Sequence, residues 1–221
     1  IAAVPQQQYT ELVCHACFEP LRAADAEHKR CAKCGVAVYC SDKCAAEHQP
    51  QHLVECLVLQ SFPPDARGRM HGVRLFATLA TAGAEASYVL AFHHEGDNAA
   101  TTVACKPAAE QLAKVLATAA PAFKATTTKV ARAIAAVKTN GYFITDEEGR
   151  RLGSGYYAVA ALINHSCEPN AIVGFNRGVM SVRAIRPIAA GEEVTVSYTE
   201  LYRPVEIRSA SLKDRKGFQC S

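Results

Sequence analysis

Seven of the chain's ten cysteines lie between Cys14 and Cys56, and they come in close pairs. The pairs are Cys14-x2-Cys17, Cys31-x2-Cys34, Cys40-x3-Cys44 and, with a histidine, His52-x3-Cys56. A two-residue spacer forms a tight knuckle that can place both thiolates on one metal, and an i, i+4 spacing puts both ligands on one face of a helical turn. Eight such ligands make two closed tetrahedral zinc sites, one of four cysteines and one of three cysteines with a histidine. A closed site offers no position to a substrate, so the zinc expected here is structural. Four ligand spacings rarely arise by chance, which makes a set of merely buried thiols the poorer account. His48 lies one helical turn before His52, is surplus to the set, and is read as a non-ligand.

Paired thiols mixed with histidine, behind a start (IAAVPQQQYT) with no charged or apolar leader pattern, point to a reducing compartment, the cytoplasm and/or nucleus. No apolar run approaches the roughly 20 residues that span a bilayer, so no membrane association is expected. The net charge of +3 is small, and residues 1–60 carry five Lys/Arg against seven Asp/Glu. A mildly acidic cysteine-rich segment is a poor match for a DNA-binding surface.

Beyond the cysteines the texture changes twice. Stretches 69–82 and 107–138 are alanine-rich, and Leu112, Val115, Leu116 and Ala119 recur with amphipathic helical spacing, as do Val130, Ile134 and Val137. Pro121 is expected to separate two helices. His93 and His94 are read as solvated loop residues. From Tyr142 onward short apolar runs at 171–175, 179–185 and 194–198 alternate with Gly, Pro and Asn turn signals, which predicts strands. The expected class is therefore α+β, with modules inserted in or appended to a small-stranded β scaffold.

Two C-terminal motifs stand out: Asn164-His165-Ser166-Cys167-Glu168-Pro169-Asn170, and Gly191-Glu192-Glu193-Val194-Thr195-Val196-Ser197-Tyr198. On a strand, Val194, Val196 and Tyr198 share one face, so the phenol would sit at the end of a packed apolar row. By itself that is only a strand-end tyrosine. Asn164-His165-Ser166 also fits a glycosylation sequon, which the reducing compartment argues against.

The run from Tyr39 to Cys44, followed by His52 and Glu55-Cys56, resembles the MYND zinc finger, although no tryptophan precedes the ligand histidine. In that family the ligands interleave, implying one site from Cys14, Cys17, Cys40 and Cys44 and another from Cys31, Cys34, His52 and Cys56. The C-terminal motifs resemble the second half of a SET domain. The whole order, including Gly153 to Tyr157 and Arg183 to Ile188, resembles the SET-and-MYND (SMYD) protein-lysine methyltransferases. The resemblance implies a SET remnant at 1–13, the finger at 14–56, a helical insert at 57–140, the C-terminal SET core at 141–212 and the start of a post-SET segment at 213–221. It further implies S-adenosylmethionine bound by Asn140, Asn164, His165 and Phe218, with Tyr198 as the active-site tyrosine and Tyr142 in the channel for the substrate protein's lysine. Cys167 and Cys220 would be two ligands of a third zinc.

Two departures bear on activity. Lys216 stands where many members carry a channel tyrosine, and a lysine cannot build an aromatic wall. The thirteen residues before Cys14 hold no Gly-x-Gly cofactor loop, and the post-SET cysteines stop at Cys220. The expectation is a fragment shortened at both ends, with weak or no activity alone. The competing class is a non-enzymatic adaptor whose finger binds proline-containing partner peptides. Lys216 and the missing loop favour the adaptor; the Asn-His pair and Tyr198 favour the enzyme.

Overall fold

The computed structural model describes residues 2–22, 28–81 and 103–220. His93 and His94 lie outside them. Strands β1 (Ala2–Pro5), β4 (Tyr142–Thr145) and β5 (Arg151–Tyr156) form an antiparallel sheet in the order β1-β5-β4. Within the cysteine-rich segment, β2 (Lys29–Arg30) pairs antiparallel with β3 (Val38–Tyr39), and helix α1 (Asp42–Gln60) follows at once. Ser41 caps that helix by accepting the Cys44 amide at 3.2 Å. The helix therefore starts after Cys40, and the Cys40/Cys44 pair straddles its first turn instead of sharing one. Pro50 is accommodated inside α1.

Helices α2 (Pro64–Arg67) and α3 (His71–Thr81) lead to the alanine-rich pair α4 (Lys106–Ala119) and α5 (Thr127–Asn140). Pro121 opens a short 3-10 turn between them, where a break was expected. Ala109, Leu112, Ala113 and Leu116 of α4 face Val130, Ala133, Ile134 and Ala136 of α5, and the same core takes in Leu75 and Leu79 of α3 and Val4 of β1. The small alanines let these backbones approach closely, so the core is dense although its side chains are short.

The remaining strands are short. β6 (Asn164–His165) runs parallel to β9 (Thr195–Val196), while β7 (Ala171–Asn176) and β8 (Val179–Ala184) form a hairpin. Its two-residue turn is Arg177-Gly178, both at positive φ (50° and 73°), the geometry that matches the twist of the flanking strands. The strand expected over 194–198 shrinks to two residues. Val194 is exposed and only Val196 is buried, so no packed row leads to Tyr198. The cause is local. The Tyr198 amide goes to the His165 ring, and Ser197 turns the chain through its hydroxyl bond to the Thr199 carbonyl. Helix α6 (Val205–Lys216) closes the described chain. No helix among the described residues is long and apolar enough to cross a membrane.

Candidate active site and metal clusters

The cysteine pairs converge on two centres. Cys14, Cys17, Cys40 and Cys44 form one set and Cys31, Cys34, His52 and Cys56 the other, with the ligand atoms of each set within 4.8 Å of one another. Individual separations are 3.7 Å for Cys17–Cys40, 3.5 Å for Cys40–Cys44, 3.8 Å for Cys31–Cys56 and 3.7 Å for Cys34 to His52 Nε2. A tetrahedron with arms of about 2.3 Å has edges of about 3.8 Å, so these donors are spaced to bind one ion per set. A disulfide needs about 2.05 Å, and none of the ten cysteines is joined in one. Burial would raise the Cys34 thiol, yet His52 and backbone amides outweigh it and bring the group to about 6, favouring the thiolate a metal requires. His48 joins neither set. It is buried, shares a 3.0 Å hydrogen bond with the Tyr39 hydroxyl and stacks on His52.

Behind the second set lies a buried polar joint that sequence reading missed. Glu55 is fully buried beside His52, with Oε2 3.7 Å from His52 Nδ1. It accepts from Arg74 at 2.7 and 3.0 Å and from Gln51 at 2.6 Å. Gln51 also reaches the Ala3 carbonyl of β1 at 2.8 Å, and Arg74 donates to His15 Nδ1 at 3.0 Å. His15 Nε2 in turn donates to the Thr10 carbonyl at 2.7 Å. Burial, then the adjacent guanidinium, lowers His15 to about 3, so the ring is neutral. Burial alone would push the Glu55 carboxyl up, but Arg74 holds it well below the usual range. The Gln51-x2-x-Glu55 spacing was the only local hint of this joint.

A second link between finger and sheet is Phe18, at φ 61° and buried. Its ring lies against Gly153 and Gly178. A Cβ at Gly178 would meet it at 2.7 Å, and one at Gly153 would meet the Val4 carbonyl at 2.6 Å and the ring closer still.

The second C-terminal motif ends at a cavity of about 440 Å³, lined by Asn140, Tyr142 and Tyr198 among others. Asn140 ends α5, Tyr142 opens β4, and Tyr198 follows β9. The Tyr142 hydroxyl donates to the Ala160 carbonyl at 2.9 Å, and that of Tyr198 donates to the Ile163 carbonyl. Burial, then Tyr198, pushes the Tyr142 phenol up to about 12; burial, then Glu193, raises Tyr198. Both remain protonated at neutral pH. With their protons directed at backbone carbonyls, each oxygen keeps lone pairs to offer.

His165 and Phe218 do not line this cavity but adjoin it through Tyr198. The rings of His165, Tyr198 and Phe218 form a cluster with centroids 5.3, 6.0 and 6.4 Å apart. Asn164 is exposed and donates to Glu193 at 2.6 Å. Asn170, unassigned from sequence, is buried and clamps this region. It donates to Glu192 at 3.0 Å and to the Glu193 carbonyl at 2.8 Å, and accepts the Thr195 amide at 2.8 Å. Lys216 also lines the cavity, with its ammonium 4.7 Å from the Tyr198 ring centroid and a hydrogen bond to the Thr139 carbonyl.

Cys167 and Cys220 come together with His165, ligand atoms within 4.8 Å. The Tyr198 amide donates to His165 Nδ1 at 3.0 Å, which fixes the proton of the neutral ring on Nε2, 3.4 Å from the Cys167 sulfur. The imidazole is thus a donor toward that sulfur, and the three groups stand close enough together to hold one ion.

Residues 8–199 match the family model described as the SET domain. The chain is 32% identical over 207 residues to human histone-lysine N-methyltransferase SMYD3, an alignment covering 86% of this chain and 47% of the relative. It is 30% identical over 244 residues to N-lysine methyltransferase SMYD2 of Gallus gallus, covering 94% and 48% respectively. With SMYD2-B of Xenopus laevis the identity rises to 49%, over 86 residues that cover 39% of this chain and 20% of the relative. The chain spans about half the length of the curated relatives it matches across most of its sequence.

Proposed function

Because this chain belongs to the SET-domain family, in its SMYD branch, we propose that its protein is an S-adenosylmethionine-dependent lysine N-methyltransferase acting on histone or other protein substrates. The observation carrying this reading is the convergence of Asn140, Tyr142 and Tyr198 on one cavity, with the His165–Phe218 ring pair beside it. The residues suit the cofactor: a carboxamide and aromatic faces to hold a purine, and a cationic wall for an amino-acid carboxylate. Asn140, Asn164, His165 and Phe218 would hold it. When bound, S-adenosylmethionine supplies an electrophilic methyl group on a sulfonium sulfur.

The chain's own residues prepare the acceptor. A lysine amine titrates near about 10.4 in water and attacks only when neutral, so a partly dry cavity walled by Tyr142 and Tyr198 disfavours its ammonium form. The Tyr198 oxygen, its proton engaged by Ile163, accepts an amine N–H and so orients the nitrogen lone pair. Fixing that direction is where positioning lowers the barrier. Two structural zinc ions are proposed at the two sets of four ligands, with Cys167 and Cys220 giving two ligands of a third, and a reducing cytoplasm and/or nucleus as the workplace.

Calorimetric titration of the full-length protein with S-adenosylmethionine tests the reading, together with transfer of labelled methyl groups to protein lysines. Heat and label are expected. Absence of both, with retention of proline-containing peptides on the finger, would leave an adaptor in its place.

A further inference from the structure

We infer that Cys40, together with Cys17, is an oxidation site at which a peroxide strips metal from the first finger set and spares the second, an inference that rests on the zinc reading of both sets. Solvent reaches the two sets unequally. In the first, Cys40 is exposed and Cys17 half-buried, with Cys14 and Cys44 buried behind them. In the second, Cys34, Cys56 and His52 are buried and Cys31 is half-buried. The second set also has one thiolate fewer, and its histidine is backed by the Glu55 carboxylate, 3.7 Å from Nδ1, which Arg74 holds in turn. A carboxylate behind a ligating histidine orients the ring and strengthens its hold on a metal.

Attack on a peroxide follows thiolate character and exposure, and a second thiolate in reach turns the first product into a disulfide. Cys40 meets both conditions. Its sulfur lies 3.7 Å from that of Cys17, on a separate segment of chain. Cys44 is as near, at 3.5 Å, but it is buried in the first turn of α1, where its amide is tied to the Ser41 cap. Cys17 sits in the knuckle and can close the remaining distance. The Cys40 thiolate attacks hydrogen peroxide, breaks the O–O bond and becomes a sulfenic acid, with hydroxide released. The Cys17 thiolate then attacks that sulfur and expels the second oxygen as hydroxide. Two thiolates have lost two electrons, and peroxide has gained them. With two of its four donors joined to each other, the set no longer closes around an ion. Cys17 adjoins Phe18, whose ring lies against Gly153 and Gly178, so the change reaches the sheet through that ring.

The test treats the full-length protein with graded hydrogen peroxide. It follows zinc released to a chromogenic chelator and the state of each cysteine by differential alkylation and mass spectrometry. Within the finger a Cys17–Cys40 disulfide is expected first, about tenfold faster than oxidation of Cys31, Cys34 or Cys56, and dithiothreitol with added zinc should reverse it. Mapping by residue keeps any release from Cys167 and Cys220 apart. Equal rates in both sets, a first link from Cys40 to Cys44, or oxygen gained at Cys40 that dithiothreitol does not remove overturns this inference while the zinc reading stands. No zinc in the untreated protein overturns both.

Discussion

Tyr198 gives its proton to the Ile163 carbonyl and its backbone amide to the His165 ring, so both of its donors are fixed by the 163–165 stretch. Tyr198→Phe keeps the ring contacts with His165 and Phe218 while deleting the oxygen. Methyl transfer is expected to fall by about 100-fold or more, with a stability loss of about 1 kcal/mol in urea unfolding. The pH profile should follow the acceptor. Burial raises both phenols, so neither ionises as pH climbs from 7 to 9, while the neutral fraction of a lysine near 10.4 grows. The rate should rise across that window, and a fall there would contradict the assigned roles. Asn170 belongs to the same scale. Asn170→Ala would take the partner from the half-buried Thr195 amide and from the Glu193 carbonyl, costing about 1–2 kcal/mol in the same unfolding assay. Tyr198 was legible only through resemblance, since strand periodicity placed it on an apolar row that does not exist. Asn170 sat inside a quoted motif, but a carboxamide's three partners cannot be read from spacing.

Among the elements, α1 carries the most. It supplies Cys44, His52 and Cys56 to two metal sets, and turns Gln51 and Glu55 toward the sheet and α3. The ligand pairs were readable because only two or three residues separate the partners of each. Arg74 was not, being nineteen residues from Glu55 with no periodic signal to tie them. Removing one partner of a buried ion pair leaves an uncompensated charge, so Arg74→Met should destabilise by about 3–5 kcal/mol. Adding Glu55→Leu should restore much of that loss, because the orphaned charge goes with it. Equal damage from single and double variants in denaturant unfolding would mean that Arg74 acts through packing alone. The short helical break at Pro121 and the amphipathic faces of α4 and α5 were legible for the opposite reason: proline chemistry and 3.6-residue spacing are local properties.

At the scale of the molecule, the order of modules could be read along the chain because each has its own texture, whereas their docking could not, since it depends on single contacts between distant residues. Three such contacts dock the finger: Gln51 to the Ala3 carbonyl of β1, Arg74 of α3 to His15, and Phe18 against Gly153 of β5 and Gly178 of the hairpin turn. Each depends on a residue within the cysteine-rich segment or, for Arg74, on Glu55 in it. The finger's own apolar core is small, built around Val36, Ala37, Tyr39 and Leu59, so metal at the two proposed sites would supply much of its order. Chelation should therefore release about two zinc ions per chain from the two closed sets and loosen the finger first. The loss should then travel. Strand β1 holds the sheet edge with Gln51 on its Ala3 carbonyl, so hydrogen exchange should accelerate at residues 29–45 and next at residues 2–5. The β7–β8 hairpin carries no finger ligand and should keep more of its protection. Uniform loss of protection would mean that metal supports one indivisible fold, and protection unchanged at residues 2–5 would mean that the polar joint transmits nothing.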